Sequence, residues 1–135
     1  MTATFTYGKA QKLKSRKDIE TLFRSGCSFY VHPLKIFYRI CMREPQDASP
    51  LKTGMGVSKK YFSKAVKRNR VKRLVREAYR LHKNNLYALM EARNLSADVF
   101  FIYTSREIIP FHVVEEKMQT ALNILAEKIP DEEAI

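Results

Sequence analysis

The sequence predicts an α+β fold. Three observations carry that reading: strict alternation of side-chain character from Leu34 to Met42, helical spacing of apolar residues in a long central segment and in the last third, and their interleaving in the order α, β, β, β, α, β, α. The chain has 135 residues, 45% of them apolar, which is the size of one domain with one core. The expected organisation is a single domain over 1–135, with flexible ends at 1–10 and 131–135.

Each element has its own signal. Ser15-Arg16-Lys17-Asp18 has the form of a capping box, and Ile19, Leu22 and Phe23 then line one helical face. Gly26 offers a left-handed residue to close that helix, which is expected over Arg16–Ser25. Ser28 to Val31 reads as a short strand, broken by His32-Pro33. In Leu34–Met42, Leu34, Ile36, Tyr38 and Ile40 face one way and Lys35, Phe37, Arg39 and Cys41 the other. Glu44 to Leu51, with two prolines, is a loop, and Lys52 to Ser58 a third strand made pliable by Gly54 and Gly56. A long helix follows from about Ser63 to Asn84, then a β-rich run, Ala97 to Thr104, placed centrally in the sheet. Pro110 opens the last helix, with Val114, Met118, Ala121, Leu122, Leu125 and Ile129 on one face.

The charge is concentrated. Lys plus Arg number 25 against 14 Asp plus Glu, a formal net of +11. Between Lys59 and Lys83 lie Lys59, Lys60, Lys64, Lys67, Arg68, Arg70, Lys72, Arg73, Arg76, Arg80 and Lys83 against Glu77 alone, so this segment holds +10 of that +11. At about 100° per residue, Val71, Leu74, Val75, Ala78 and His82 form the core-facing stripe. Asn69, Lys72, Arg73, Arg76 and Arg80 fall on the opposite side, with Glu77 within reach of Arg73 or Arg80. Arg68, Lys72, Arg76 and Arg80 make an unbroken i, i+4 row of cations. Such a row repels itself, and a polyanion relieves it better than water does. Arginines suit bidentate contacts to phosphate.

The strand face Lys35, Phe37, Arg39 is a second clue. A ring between cations can stack a base while its neighbours pair with phosphates. It fits equally well under a helix, with the cations snorkelling past it.

The run Lys59-Lys60 through Ala65-Val66-Lys67-Arg68-Asn69-Arg70-Val71-Lys72-Arg73-Leu74-Val75-Arg76-Glu77-Ala78-Tyr79-Arg80 resembles the signature of the ribonuclease P protein family. The likeness extends upstream through Gly54-Met55-Gly56-Val57-Ser58 and to the first helix, where Lys12-Leu13 and Asp18 to Phe23 match a pattern ending in Gly26. It covers about two thirds of the chain.

The resemblance implies a four-stranded mixed sheet of the ribosomal protein domain 2-like kind, with a left-handed βαβ crossover against the usual rule. It implies an RNA-binding face of Lys59, Lys60, Lys64, Arg68, Asn69, Arg70, Lys72, Arg73, Arg76 and Arg80. It also implies a cleft for the 5′ leader of precursor tRNA, made by Lys12, Ile19, Phe23, Lys35, Phe37, Arg39 and Ser58. The chain departs from the family pattern at Ile19, where a phenylalanine is usual, and in Tyr61-Phe62-Ser63, which lacks a common glycine. The implied partners are a catalytic RNA and precursor tRNA, and the implied cofactor is Mg²⁺ held mainly by that RNA. Neither a protein partner nor a membrane is implied.

Other classes fit less well. His32, His82 and His112 are far apart, and Asp18 and Asp98 read as a cap and a strand-entry residue, so no catalytic or metal constellation is expected in the protein itself. Cys27 and Cys41 read as separate, half-buried, reduced thiols. No apolar run of about 18 residues exists, and Met1 to Lys14 lacks the apolar core of a signal peptide, so the expected location is the cytoplasm. A general or ribosomal RNA-binding protein is the alternative. A DNA-binding helix-turn-helix would need a helix where Lys52 to Ser58 reads as strand.

Overall fold

The alternating burial of one central strand organises the molecule. In the computed structural model, which describes residues 7–130, strand β4 (Leu95–Tyr103) buries Leu95, Ala97, Val99, Phe101 and Tyr103 on one face. The other face carries Ser96, Asp98, Phe100 and Ile102. The strand is flanked antiparallel by β2 (Leu34–Met42) and parallel by β3 (Leu51–Val57); β1 (Cys27–Val31) pairs antiparallel with β2 at the far edge. The sheet is therefore mixed and four-stranded, in the order β1-β2-β4-β3.

Three helices cover the face of Val99 and Phe101. They are α2 (Ala65–His82), α3 (Asn84–Ala92) and α4 (Phe111–Lys128). The α4 stripe Val114, Met118, Ala121, Leu122 and Leu125 is buried as its spacing predicts, and so is Ile129, which is the extended residue just past the end of the helix. The opposite face is met by α1 (Arg16–Ser25), whose Leu22 is fully buried. Ser15 accepts from the Asp18 amide at 3.3 Å, capping that helix.

Several expectations change. The long helix from Ser63 to Asn84 is two helices that divide at Lys83, so α3 is an element beyond the predicted order. Asn84 and Asn85 are weak helix formers, and α3 brings Leu86 and Met90 into the core. Asn94, with φ of 54°, is the left-handed residue that closes α3. Gly26 is extended, not left-handed; it is needed for close approach, because a Cβ there would lie 2.5 Å from the Leu22 carbonyl oxygen. In α2, Tyr79 is buried with Val71, Val75 and Ala78, while Leu74 and His82 are only half-buried. Cys27 and Cys41 are both exposed.

Within the segment 1–10, residues 7–10 are tied to the sheet edge. The Tyr7 hydroxyl donates to the Thr53 carbonyl at 2.7 Å, and residues Lys9–Gln11 form a 3-10 turn before Leu13 donates to Thr53. Residues 1–6 and 131–135 lie outside the described residues, and the expectations for them with it.

Candidate nucleic-acid interface

Helix α2 separates its two chemistries cleanly. The stripe Val71, Val75, Ala78 and Tyr79 packs on the sheet, and this forces the intervening positions outward. Lys67, Asn69, Arg70, Arg73 and Arg76 are exposed; Arg68, Lys72 and Arg80 are half-buried along the flanks. Lys59 and Lys60 are exposed in the turn after β3, and Lys64 is exposed at the N-cap of α2. Among the described residues, Lys67, Arg70, Lys72, Arg73 and Arg76 have no carboxylate partner. Like charges left uncompensated on one face attract a polyanion.

The row Arg68, Lys72, Arg76, Arg80 is not uniform. Arg68 donates through Nη1 to the carbonyls of Phe62 and Ser63, at 2.8 and 2.7 Å, and so braces the turn that leads into α2. Arg80 is clasped by Glu77, its Nε donating to Oε2 at 3.1 Å. That hydrogen bond chiefly, and the Arg80 charge with it, holds the Glu77 carboxyl below the usual carboxylate range. Lys83 is buried, with Nζ 5.3 Å from the Tyr87 ring; burial first, then repulsion from Arg80, pushes its ammonium below the ordinary value. Lys83 therefore does not belong to the exposed cations. His82 lies at the seam with α4, its Nε2 3.0 Å from Glu115 Oε2.

The second group lies on the sheet face beneath α1. Phe23 projects from α1 onto Phe37, with ring centroids 4.8 Å apart, and onto Phe100 edge-on at 5.2 Å. Phe37 and Phe100 are directly opposite in the β2–β4 register. Phe100 in turn covers Gly54 and Gly56, where an added Cβ would approach its ring to 2.7 and 2.9 Å. Those glycines make a bed for a ring; their use is close packing, not pliability. The Lys35 ammonium sits 5.1 Å from the centre of Phe37. Phe23 remains 41% exposed while Phe37 is half-buried. Phe37 therefore packs under a helix, and the ring stack it belongs to reaches solvent through Phe23.

The remaining cleft candidates are not all on this floor. Ile19 is half-buried on α1, one turn before Phe23. Arg39 faces Asp98 across the β2–β4 register, and its Nη2 pairs with Oδ2 at 2.9 Å. Asp98 is therefore a mid-strand ion-pair partner rather than a strand-entry residue, and it offsets the Arg39 charge. Ser58 accepts from the Lys60 amide at 3.1 Å, beyond the end of β3. Lys12 lies at the β3 edge, where it bridges to Thr53 and lines an open depression with Lys9, Lys14 and Lys52. Burial raises the pKa of Tyr7 beside it, opposed by the Thr53 hydrogen bond and the nearby Arg76 charge. Arg76 and Lys12 thus flank the same edge, which joins the α2 face to the N-terminal segment.

Phe100 and the lysines Lys9, Lys14 and Lys52 were not singled out from sequence. The signal for Phe100 was present: it alternates with Val99 and Phe101, so it must face α1 once those two are buried. No group of three His, Cys, Asp or Glu residues able to hold a metal comes together among the described residues, and no described helix is long and apolar enough to cross a membrane.

Comparison with known proteins agrees with this arrangement. A family profile described as Ribonuclease P matches residues 7–126. The chain is similar to the ribonuclease P protein component of Porphyromonas gingivalis, with 41% identity over 128 residues that cover 95% of this chain and 92% of the relative. To the ribonuclease P protein component of Chlorobium phaeobacteroides it is 32% identical over 123 residues, covering 85% and 84%. Among solved structures, the RNase P protein of Staphylococcus aureus has the same fold, with a TM-score of 0.63 at 21% identity over 87% of this chain and 96% of that one. The RNase P protein from Thermotoga maritima matches at 0.59 and 26% identity, over 89% and 98%. On the strength of the profile and the long sequence matches, the chain belongs to the ribonuclease P protein family.

Proposed function

We propose that this chain is the RNA-binding subunit of a ribonuclease P. In that role it seats the catalytic RNA on the α2 face, holds the 5′ leader of precursor tRNA on the ring floor under α1, and assists removal of the leader. The observation that carries the proposal is the set of five outward cations on α2, Lys67, Arg70, Lys72, Arg73 and Arg76, none paired with a carboxylate among the described residues. Such a face binds phosphates by releasing their counterions, which gives affinity without base identity. The rings supply the complement, since stacking accepts any unpaired base.

In this reading the hydrolytic centre is proposed to lie in the RNA. A hard divalent cation needs several oxygen donors, and the carboxylates among the described residues do not converge. The described residues do not fit a Mg²⁺ cage, so the ion is proposed to be held by the RNA. The place of action is proposed to be the cytoplasm, where precursor tRNA is made.

The decisive assay mixes the protein with its cognate catalytic RNA and precursor tRNA at low Mg²⁺, where phosphate repulsion is least screened. Faster leader cleavage than with RNA alone is expected. RNA binding without any gain in cleavage would instead identify a general RNA-binding protein of this fold.

A further inference from the structure

The outer edge of the sheet carries a ring that the cleft does not use. We propose that Tyr30 on β1 is a second stacking platform, which takes a further unpaired base of the strand whose first base lies on the Phe37 floor. This rests on the proposed leader cleft and extends it to a named subsite. Tyr30 is 55% exposed and lies directly opposite Lys35 in the β1–β2 register, on the same face as Phe37. Lys35 reaches the other way, to 5.1 Å from the Phe37 ring centre. The Cα atoms of diagonal neighbours on adjacent strands are about 7–8 Å apart, so Tyr30 and Phe37 occupy neighbouring positions on this face, with Lys35 next to both in the register. Ring, cation, ring is the order that two bases and the phosphate between them require.

An isolated exposed aromatic needs no explanation. This one is fixed. The Tyr30 hydroxyl lies 2.8 Å from His32 Nδ1 and 2.9 Å from Thr104 Oγ1, and Thr104 Oγ1 donates to the Pro33 carbonyl at 2.9 Å. The single hydroxyl proton of Thr104 is spent on Pro33, so Tyr30 donates to Thr104 and the His32 Nδ1–H donates to Tyr30. The phenol is therefore held at its far end by two partners from different parts of the chain. A ring already held in place loses little freedom when a base settles on it, which favours binding.

The chain contains no tryptophan, so a single indole reports one position. The full-length protein, assembled with its catalytic RNA, is made as Tyr30→Trp and separately as Phe37→Trp, and each is titrated with precursor tRNA carrying a short or a long leader. Quenching of the Tyr30→Trp protein by the long leader but not the short one is expected, with the Phe37→Trp protein quenched by both. Quenching of the Phe37→Trp protein alone overturns the edge platform and leaves the cleft standing. Quenching of the Tyr30→Trp protein alone keeps the platform and overturns the cleft, and quenching of neither overturns both. Affinity gives a second readout: Tyr30→Leu should weaken long-leader binding about tenfold, within the range of one lost stack, whereas Tyr30→Phe should retain most of it. Unchanged binding of leaderless tRNA guards against a folding defect, and equal affinity of Tyr30→Leu and the parent protein for long leaders also overturns the platform.

Discussion

The outward face of α2 is nearly all charge and nearly no packing, whereas the sheet face under α1 is packed rings with charges at the margin. Arg70, Arg73 and Arg76 are exposed and have no carboxylate partner among the described residues. Phe23, Phe37 and Phe100 hold one another, and two glycines are kept bare so that Phe100 can lie down. The difference predicts opposite behaviour under perturbation. A charged face should respond to salt and tolerate substitution without unfolding; a ring stack should ignore salt and pass each substitution into stability or shape.

The largest effect is expected from removing charge. Arg70→Ala, Arg73→Ala and Arg76→Ala together should weaken binding to the catalytic RNA by at least about a hundredfold at low salt, as three charge-assisted contacts are lost. The slope of log affinity against log salt should fall by about 2–3, at roughly 0.7–0.9 per phosphate contact. The melting curve should stay within about 0.5 kcal/mol of the parent for each change, since all three side chains are exposed. An unchanged salt slope would remove the α2 face from the interface.

Gly54→Ala tests the opposite region. Its new Cβ would meet the Phe100 ring at 2.7 Å, a clash expected to cost about 1–3 kcal/mol, partly offset by the loss of backbone freedom in the unfolded chain. Urea unfolding should show a lower midpoint, and adding Phe100→Ala should relieve part of the specific clash. If Gly54→Ala melts with the parent, the ring is not bedded on the glycines. Phe37→Ala is the functional counterpart: about tenfold weaker binding of long-leader substrate, at an unchanged salt slope, with leaderless tRNA unaffected. Equal loss for both substrates would assign Phe37 to packing alone.

The two regions were also unequally legible in the sequence. Amphipathic spacing placed the α2 face almost residue by residue, because helical geometry maps sequence onto a surface without reference to anything distant. What it missed were side chains recruited by neighbours: Arg68 bracing the preceding turn, Lys83 drawn inward, Tyr79 taking the core place expected of Leu74 and His82. On the sheet, the faces of β2 were readable from alternation, but which strand lay beside it was not. Phe37 meets Phe100 and Arg39 meets Asp98 only because β4 enters between β2 and β3. Pairing over such a distance leaves no local trace, and so the sequence names Phe23 and Phe37 for the cleft but not Phe100, the third ring of the floor.

The smallest effect is expected at the one acid on the charged helix. Glu77 clasps Arg80 through both of its oxygens. Glu77→Gln removes the negative charge beside Arg80, and RNA affinity at pH 7 should rise by only about twofold, the scale of one exposed helical ion pair. The pH dependence supplies a sharper readout. Because the Arg80 hydrogen bond holds the Glu77 carboxyl below its ordinary value of 4.5, its contribution to stability is present above that value and is lost as pH falls through the lowered one. The parent protein should therefore lose slightly more stability between neutral pH and the acid side of 4.5 than Glu77→Gln does, as read by urea midpoints across that range. Parallel curves, with affinity unchanged at pH 7, would mean that Glu77 neither supports the fold nor tempers the cations around it.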